Sequence, residues 1–142
     1  MTEKIKAGRN RTIVVQESEI SQLEHHIIHK DNLNTATGFL NKVINADLFE
    51  VLTFLPDEFA DLIIVDPPYN LDKNFNGFKF NSMNADKYEE YVDSWLTELC
   101  KKLKPCGSLY LCGDWKCTSS LQRVLERHLT ILNRITWQRE KG

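Results

Sequence analysis

No apolar run in this 142-residue chain approaches the roughly 18–20 residues that a membrane-spanning helix needs. The start, MTEKIKAGRNR, has no apolar signal core, so secretion is disfavoured and the cytoplasm is the expected compartment. No strong charge of one sign is present: 18 basic and 20 acidic side chains leave a formal charge of −2. That excludes a highly basic nucleic-acid-coating protein, though not a local basic face. The four cysteines, Cys100, Cys106, Cys112 and Cys117, form no CxxC pair, so the usual knuckle of a structural zinc site is missing. There is no internal repeat and no low-complexity tract. What remains, 42% hydrophobic and 27% charged residues, is the composition of an ordinary globular protein, with room for one modest domain or part of a larger one.

Residues 1–11 are polar and basic and read as a loose arm. Arg11–Gln16 is a short β-branched run suited to an edge strand. From Ser18 to Lys30, Ile20, Leu23, Ile27 and Ile28 recur at helical spacing, with Ser18 as the N-cap. Asp31–Gly38 reads as a loop. From Phe39 onward strands and helices alternate. Lys42–Ala46 is a short strand, and Asp47 caps a helical turn or two that Pro56 closes. Asp61–Val65 is a continuous apolar run, the mark of a strand buried on both faces. Leu71–Asn84, rich in Asn and Phe, reads as a loop. Over Ala85–Leu103, Tyr88, Tyr91, Val92, Trp95, Leu96, Leu99 and Leu103 form one apolar stripe of a helix, stopped by Pro105 and Gly107. Ser108–Cys112 is a buried strand, Thr118–Leu129 a helix and Ile131–Trp137 a final strand. Such alternation predicts a mainly parallel α/β sheet with helices on its faces.

The informative segment is Asp61-Leu62-Ile63-Ile64-Val65-Asp66-Pro67-Pro68-Tyr69-Asn70. In open α/β sheets, ligands sit outside the carboxyl ends of the strands, and Asp66 lies there. The two prolines fix φ and remove two N–H donors, so carbonyls in the turn are free to accept from a ligand. Tyr69 adds a stacking face. A planar group bearing an NH2 suits such a site, because its two donors meet acceptors while its ring stacks.

Asp66-Pro67-Pro68-Tyr69 at a strand end resembles the catalytic motif of the S-adenosylmethionine-dependent amino-methyltransferases, which methylate adenine N6 or cytosine N4, mostly in DNA. The resemblance extends over about Phe39–Gly142. It takes in the strand-acid-helix segment Lys42–Phe54, the helix and strand of Trp95–Gly113, and the Trp-containing Ile131–Gly142. The order resembles the permuted class, whose cofactor glycines come late. By this resemblance the fold is an incomplete Rossmann-like methyltransferase fold, with 1–38 an arm and helix and 39–142 a partial catalytic domain. Asp66, Pro67, Pro68 and Tyr69 are the implied catalytic residues, S-adenosylmethionine the implied cofactor, and Asp47, Leu48 and Asp66 its implied contacts. Double-stranded DNA is the implied partner, in a restriction-modification setting. An aspartate at the first motif position tilts towards adenine over cytosine.

The six glycines include no G-x-G pair, so the cofactor-binding glycine turn of the resemblance is not encoded, nor is a target-recognition region. Without the strand before that turn, Asp61–Val65 has an unpaired edge. The expectation is an incomplete or split enzyme that needs a second chain to supply the missing strands, or an inactive remnant. Other features have plainer readings. His25 and His29, i,i+4 on the expected helix, form a solvated face rather than a metal site. Leu71–Asn84 is either a lid over the target base or a surface loop, although Phe75, Phe78 and Phe80 are apolar for water. Arg123, Arg127, Arg134, Arg139 and Lys141, against Glu126 and Glu140, give the last 22 residues a net +3. That is either an ordinary helix surface or a phosphate contact.

Overall fold

The structure, a computed structural model, describes residues 15–33, 38–75 and 77–138; for Phe75 and Phe78 it describes the backbone alone. The basic arm at 1–11, most of the expected strand at Arg11–Gln16, part of the Asp31–Gly38 loop, and Arg139 and Lys141 lie outside the described residues. The chain divides into two compact units, Met1–Phe54 and Leu55–Gly142.

In the first unit, helix α1 spans Glu17–Glu24. Its N-cap is Gln16 rather than Ser18, and the Gln16 amide donates to the Glu19 carboxylate at 2.8 Å. The helix is shorter than its apolar spacing predicts. Ile27 and Ile28 instead enter strand β1 (Ile27–His29), which pairs in parallel with β2 (Val43–Asn45). His29 therefore lies on a strand, so the i,i+4 helical pairing with His25 does not form. β-branched isoleucines satisfy either period, and here the partner strand decides. A 3-10 turn covers Lys30–Asn32, running from the last residue of the expected helix into the expected loop. After β2, Asp47 accepts from the Phe49 amide at 2.9 Å and opens α2 (Leu48–Val51), as its position before the apolar run predicts.

The second unit is a strand-helix-strand crossover. Strand β3 (Ala60–Val65) lies parallel to β6 (Leu103–Leu111), and helix α3 (Ala85–Lys101) connects them. Asn84 caps α3 by accepting from the Lys87 amide at 2.9 Å. The buried stripe Tyr88, Val92, Trp95, Leu96 and Leu99 joins Leu121 and Val124 of helix α4 (Thr118–Leu125) to make the core. Burying side chains of this size is the main stabilising term, at about 1.5–3 kcal/mol each. Glu89 on α3 accepts from the Arg123 Nε of α4 at 2.8 Å, and Asp93 meets His128, just past the end of α4, at 2.7 Å, so polar bonds tie α3 to α4 and to the turn that follows it. Lys102, itself buried, donates to the Leu55 carbonyl and to Asp57, tying the entry of β3 to the end of α3.

Four further expectations are corrected. Pro105 and Gly107 lie inside β6, not in a helix terminator. Ala60 pairs with Leu103 and Leu62 with Ser108, so residues 104–107 bulge out of the ladder. A bulge is where a strand tolerates proline. Gly107 passes close to its neighbours there, since a Cβ would meet Leu103 at 2.7 Å and the Ala60 carbonyl at 3.1 Å. Leu71–Asn84 is not a plain loop but holds an antiparallel hairpin, β4 (Lys73–Phe75) and β5 (Phe78–Phe80). Ile131–Trp137 forms no strand, because it has no ladder partner among the described residues; Trp137 is 88% exposed. Nor is β3 buried on both faces: Leu62 and Ile64 are exposed, as is Tyr110, the register partner of Ile64. Among the described residues β3 pairs with β6 alone, which leaves its other edge unpaired.

Candidate active site

The parallel ladder of β3 and β6 ends with the Cys112 amide donating to the Val65 carbonyl at 2.8 Å. Beyond that bond the chain cannot continue the ladder, since Pro67 and Pro68 have no N–H. Asp66-Pro67-Pro68-Tyr69 therefore leaves the sheet at its carboxyl end. These four residues, with Leu71 and Lys73, line one cavity of about 280 Å³. Asp66 is exposed and Tyr69 half-buried at its wall. The Tyr69 hydroxyl donates to the Asp66 carboxylate. That bond, reinforced by partial burial, pushes the Tyr69 hydroxyl up to about 12.

The turn is held from two sides. From α3, the Tyr88 hydroxyl donates to the Pro68 carbonyl at 3.0 Å. Tyr88 is fully buried, and burial beside Cys117 pushes its hydroxyl above the ordinary tyrosine range. From the other side, Asn70 has a φ of +31°, in the left-handed region that asparagine tolerates better than most residues. Its side chain forms a reciprocal pair with Met83: Nδ2 donates to the Met83 carbonyl at 2.9 Å, and the Met83 amide donates to Oδ1 at 2.7 Å. One rung further, Asp72 accepts from the Ser82 amide at 2.7 Å and from the Ser82 hydroxyl at 3.1 Å. Those bonds hold the Asp72 carboxyl below its usual range. The Lys73–Phe80 hairpin thus rises from a base clamped by two side chains. Phe80 is buried and meets Tyr91 of α3 edge-on, 5.5 Å between ring centres.

All four motif residues are brought together as the sequence predicts. Asp47 and Leu48 belong to the first unit, just past the carboxyl end of β2, with Asp47 engaged in capping. Sequence reasoning assigned Tyr88 to the core alone and missed the Asn70–Met83 and Asp72–Ser82 clamps. A buried phenol needs a hydrogen-bond partner, which is the signal that Tyr88 offers. The clamps join residues 10 and 13 positions apart and leave no periodic trace.

Each unit, taken by itself, offers one carboxylate suited to a cationic, ribose-bearing cofactor. Asp66 and Asp47 each follow the carboxyl end of a parallel strand, where a carboxylate can meet a positive sulfonium or a hydroxyl. The cavity at Asp66 has room for one base-sized group.

Comparison with known proteins agrees with this arrangement. The family described as DNA methylase, the N6/N4 methyltransferases, matches residues 60–142, from the first residue of β3 onward. The chain is 35% identical over 103 residues to the Type II methyltransferase M.HpaI of Haemophilus parainfluenzae, covering 71% of this chain and 32% of that protein. It is 35% identical over 97 residues to the Type II methyltransferase M.BamHI of Bacillus amyloliquefaciens, covering 68% and 23%. It is 30% identical over 95 residues to the DNA adenine methyltransferase YhdJ of Escherichia coli, covering 67% and 32%. The chain spans about a quarter to a third of the length of these relatives. No solved structure matches. The chain belongs to the N6/N4 DNA methylase family, and its partial α/β fold carries an Asp-Pro-Pro-Tyr turn at the end of a parallel strand.

Proposed function

We propose that this chain supplies the amine-binding half of an enzyme that transfers a methyl group from S-adenosylmethionine to N6 of adenine in double-stranded DNA, in a restriction-modification setting in the cytoplasm. In this reading residues 39–142 are the catalytic portion. A second polypeptide segment provides the cofactor's glycine turn and the strand beside β3. The observation that carries the reading is the single cavity lined by the Asp66 carboxylate, the two prolines and the Tyr69 ring. Adenine is favoured over cytosine by the aspartate at the first motif position and by one relative described as a DNA adenine methyltransferase.

The chemistry rests on the poor nucleophilicity of an aromatic amine, whose lone pair is delocalised into the ring. S-adenosylmethionine supplies an electrophilic methyl group when bound, and Asp66, Asp47 and Leu48 are the residues that would meet it. The chain's own residues act on the amine. One N–H donates to the Asp66 carboxylate and the other to the Pro67 carbonyl. Among the described residues no other donor reaches that carbonyl. Two acceptors held on a rigid turn draw the nitrogen towards a pyramidal geometry, which frees the lone pair. Asp66 also stabilises the positive charge that builds on nitrogen and takes the proton that leaves it. Such preorganised electrostatics and positioning are large contributors to rate enhancement. The target base must leave the duplex to reach the cavity, and the Tyr69 ring is its stacking face. When the amine arrives, the Tyr69 hydroxyl gives up its bond to Asp66.

The test is incubation of the polypeptide with methyl-labelled S-adenosylmethionine and unmethylated duplex DNA, followed by digestion to nucleosides. Label in N6-methyldeoxyadenosine supports the reading. Label in N4-methyldeoxycytidine replaces adenine by cytosine. No label, even after addition of a segment encoding the glycine turn, rejects catalysis in favour of a remnant that binds without turnover.

A further inference from the structure

The motif turn has an unusual anchoring problem. Two consecutive prolines remove two of its four backbone donors, so the turn has few bonds of its own with which to fix its carbonyls. The bond that does so comes from Tyr88, twenty residues downstream in the first turn of α3, whose hydroxyl donates to the Pro68 carbonyl at 3.0 Å. Tyr88 is fully buried, so water does not compete for this bond. Its ring lies against Tyr91, 6.2 Å between centres and 28° from parallel, so the side chain has little freedom to swing away. Asp66 and Pro67 each precede a proline, which holds both in extended conformations. With φ fixed by both prolines the segment is polyproline-like, about three residues per turn, so the direction of one carbonyl sets that of its neighbour. Fixing the Pro68 carbonyl towards α3 therefore also fixes the direction of the Pro67 carbonyl, away from α3.

We propose that Tyr88 is a positioning residue for methyl transfer: by pinning the Pro68 carbonyl to α3 it aims the Pro67 carbonyl and the Asp66 carboxylate at the target amine. The inference rests on the proposed reading of the Asp66–Tyr69 turn. It assigns to a side chain that the apolar stripe alone marks as core a direct effect on the reacting geometry. Tyr88 does not touch the amine, so its loss acts on turnover rather than on cofactor affinity.

The test is Tyr88→Phe, which removes one oxygen and keeps the packed ring. Pro68–Tyr69 is the only Pro-Tyr step in the chain, so protein labelled with carbonyl-13C proline and 15N tyrosine gives one carbonyl–amide resonance reporting the Pro68 carbonyl. The variant is expected to move that resonance upfield, as loss of a hydrogen bond does. It is also expected to lower kcat about tenfold, the weight of one hydrogen bond, with KM for S-adenosylmethionine unchanged. Val92→Ala is the control, because it loosens the same helix without touching the bond. It is expected to lower Tm yet leave the Pro68 resonance and kcat in place. An unmoved resonance in Tyr88→Phe, an unchanged kcat, or the same kcat loss in Val92→Ala overturns the proposal. The assays are run with the segment that carries the glycine turn added, and absence of methyl transfer by the wild-type polypeptide under those conditions rejects the underlying functional reading instead.

Discussion

Replacing Asn70 separates what its side chain bonds contribute from what its backbone costs. The side chain makes two hydrogen bonds with Met83, at 2.9 and 2.7 Å, both partly buried. At about 1 kcal/mol net for each, their loss weakens the clamp by about 2 kcal/mol. The backbone sits at a φ of +31°, where alanine carries a steric penalty of about 1 kcal/mol that glycine escapes. Asn70→Ala therefore costs about 3 kcal/mol. Asn70→Gly recovers the strain but adds about 0.5–1 kcal/mol of unfolded-chain entropy, so it costs slightly less. The direct readout is hydrogen exchange at the Met83 amide, which loses its acceptor in both variants. A loss of about 2 kcal/mol accelerates exchange roughly 30-fold. The Ser82 amide, held by Asp72 one rung away, is expected to accelerate with it, because the two clamps share one hairpin base. Exchange at Met83 unchanged in both variants would refute the clamp. Exchange accelerated at Met83 but not at Ser82 would show that the two rungs open independently.

Three further outcomes follow from the same contacts. The Tyr69 hydroxyl, held protonated by its bond to Asp66, is expected to titrate near 12 rather than 10 in an ultraviolet pH titration. Because the folded value is raised, the stability contributed by this bond is complete below pH 10 and is lost as pH rises from 10 towards 12; Asp66→Asn should lower the midpoint. Glu89, held below the usual carboxylate range first by its bond to Arg123, contributes stability above its ordinary value that is lost as pH falls through the depressed one. Tm measured from pH 7 downward should therefore fall less steeply in Glu89→Gln. Gly113→Ala should cost about 1–3 kcal/mol in chemical denaturation, since its Cβ would meet Leu121 Cδ1 at 2.3 Å, and Leu121→Val in the same chain should relieve part of that loss.

The elements that could be read from sequence are those whose residues leave one choice. Asp61–Val65 followed by two prolines is a strand that must end. The stripe from Tyr88 to Leu99 fits only a helical period, and Asp47 before Leu48 is a cap in the structure as in the pattern. The misread elements are decided by partners or by short turns. Ile27 and Ile28 fit the face of α1, but pairing with Val43 and Ile44 takes them into a strand. The hairpin had a local signal in Asn76-Gly77 between Phe75 and Phe78, the commonest two-residue hairpin turn, and Gly77 adopts the positive φ of +102° that such a turn requires. Ile131–Trp137 has strand composition and no ladder to join among the described residues. Composition alone does not make a strand. The four motif residues were legible because they are contiguous. Tyr88, Asn70 and Met83 were not, because a hydrogen bond across 13 or 20 positions is a product of the fold.

The role of the Asp66 carboxylate is tested most directly by single-turnover methyl transfer in Asp66→Ala, measured beside calorimetric binding of S-adenosylmethionine by the same protein. The proposed mechanism predicts methyl transfer reduced at least a hundredfold, as for loss of one preorganised electrostatic group, with cofactor affinity changed less than about tenfold. Transfer at the wild-type rate in Asp66→Ala would contradict it.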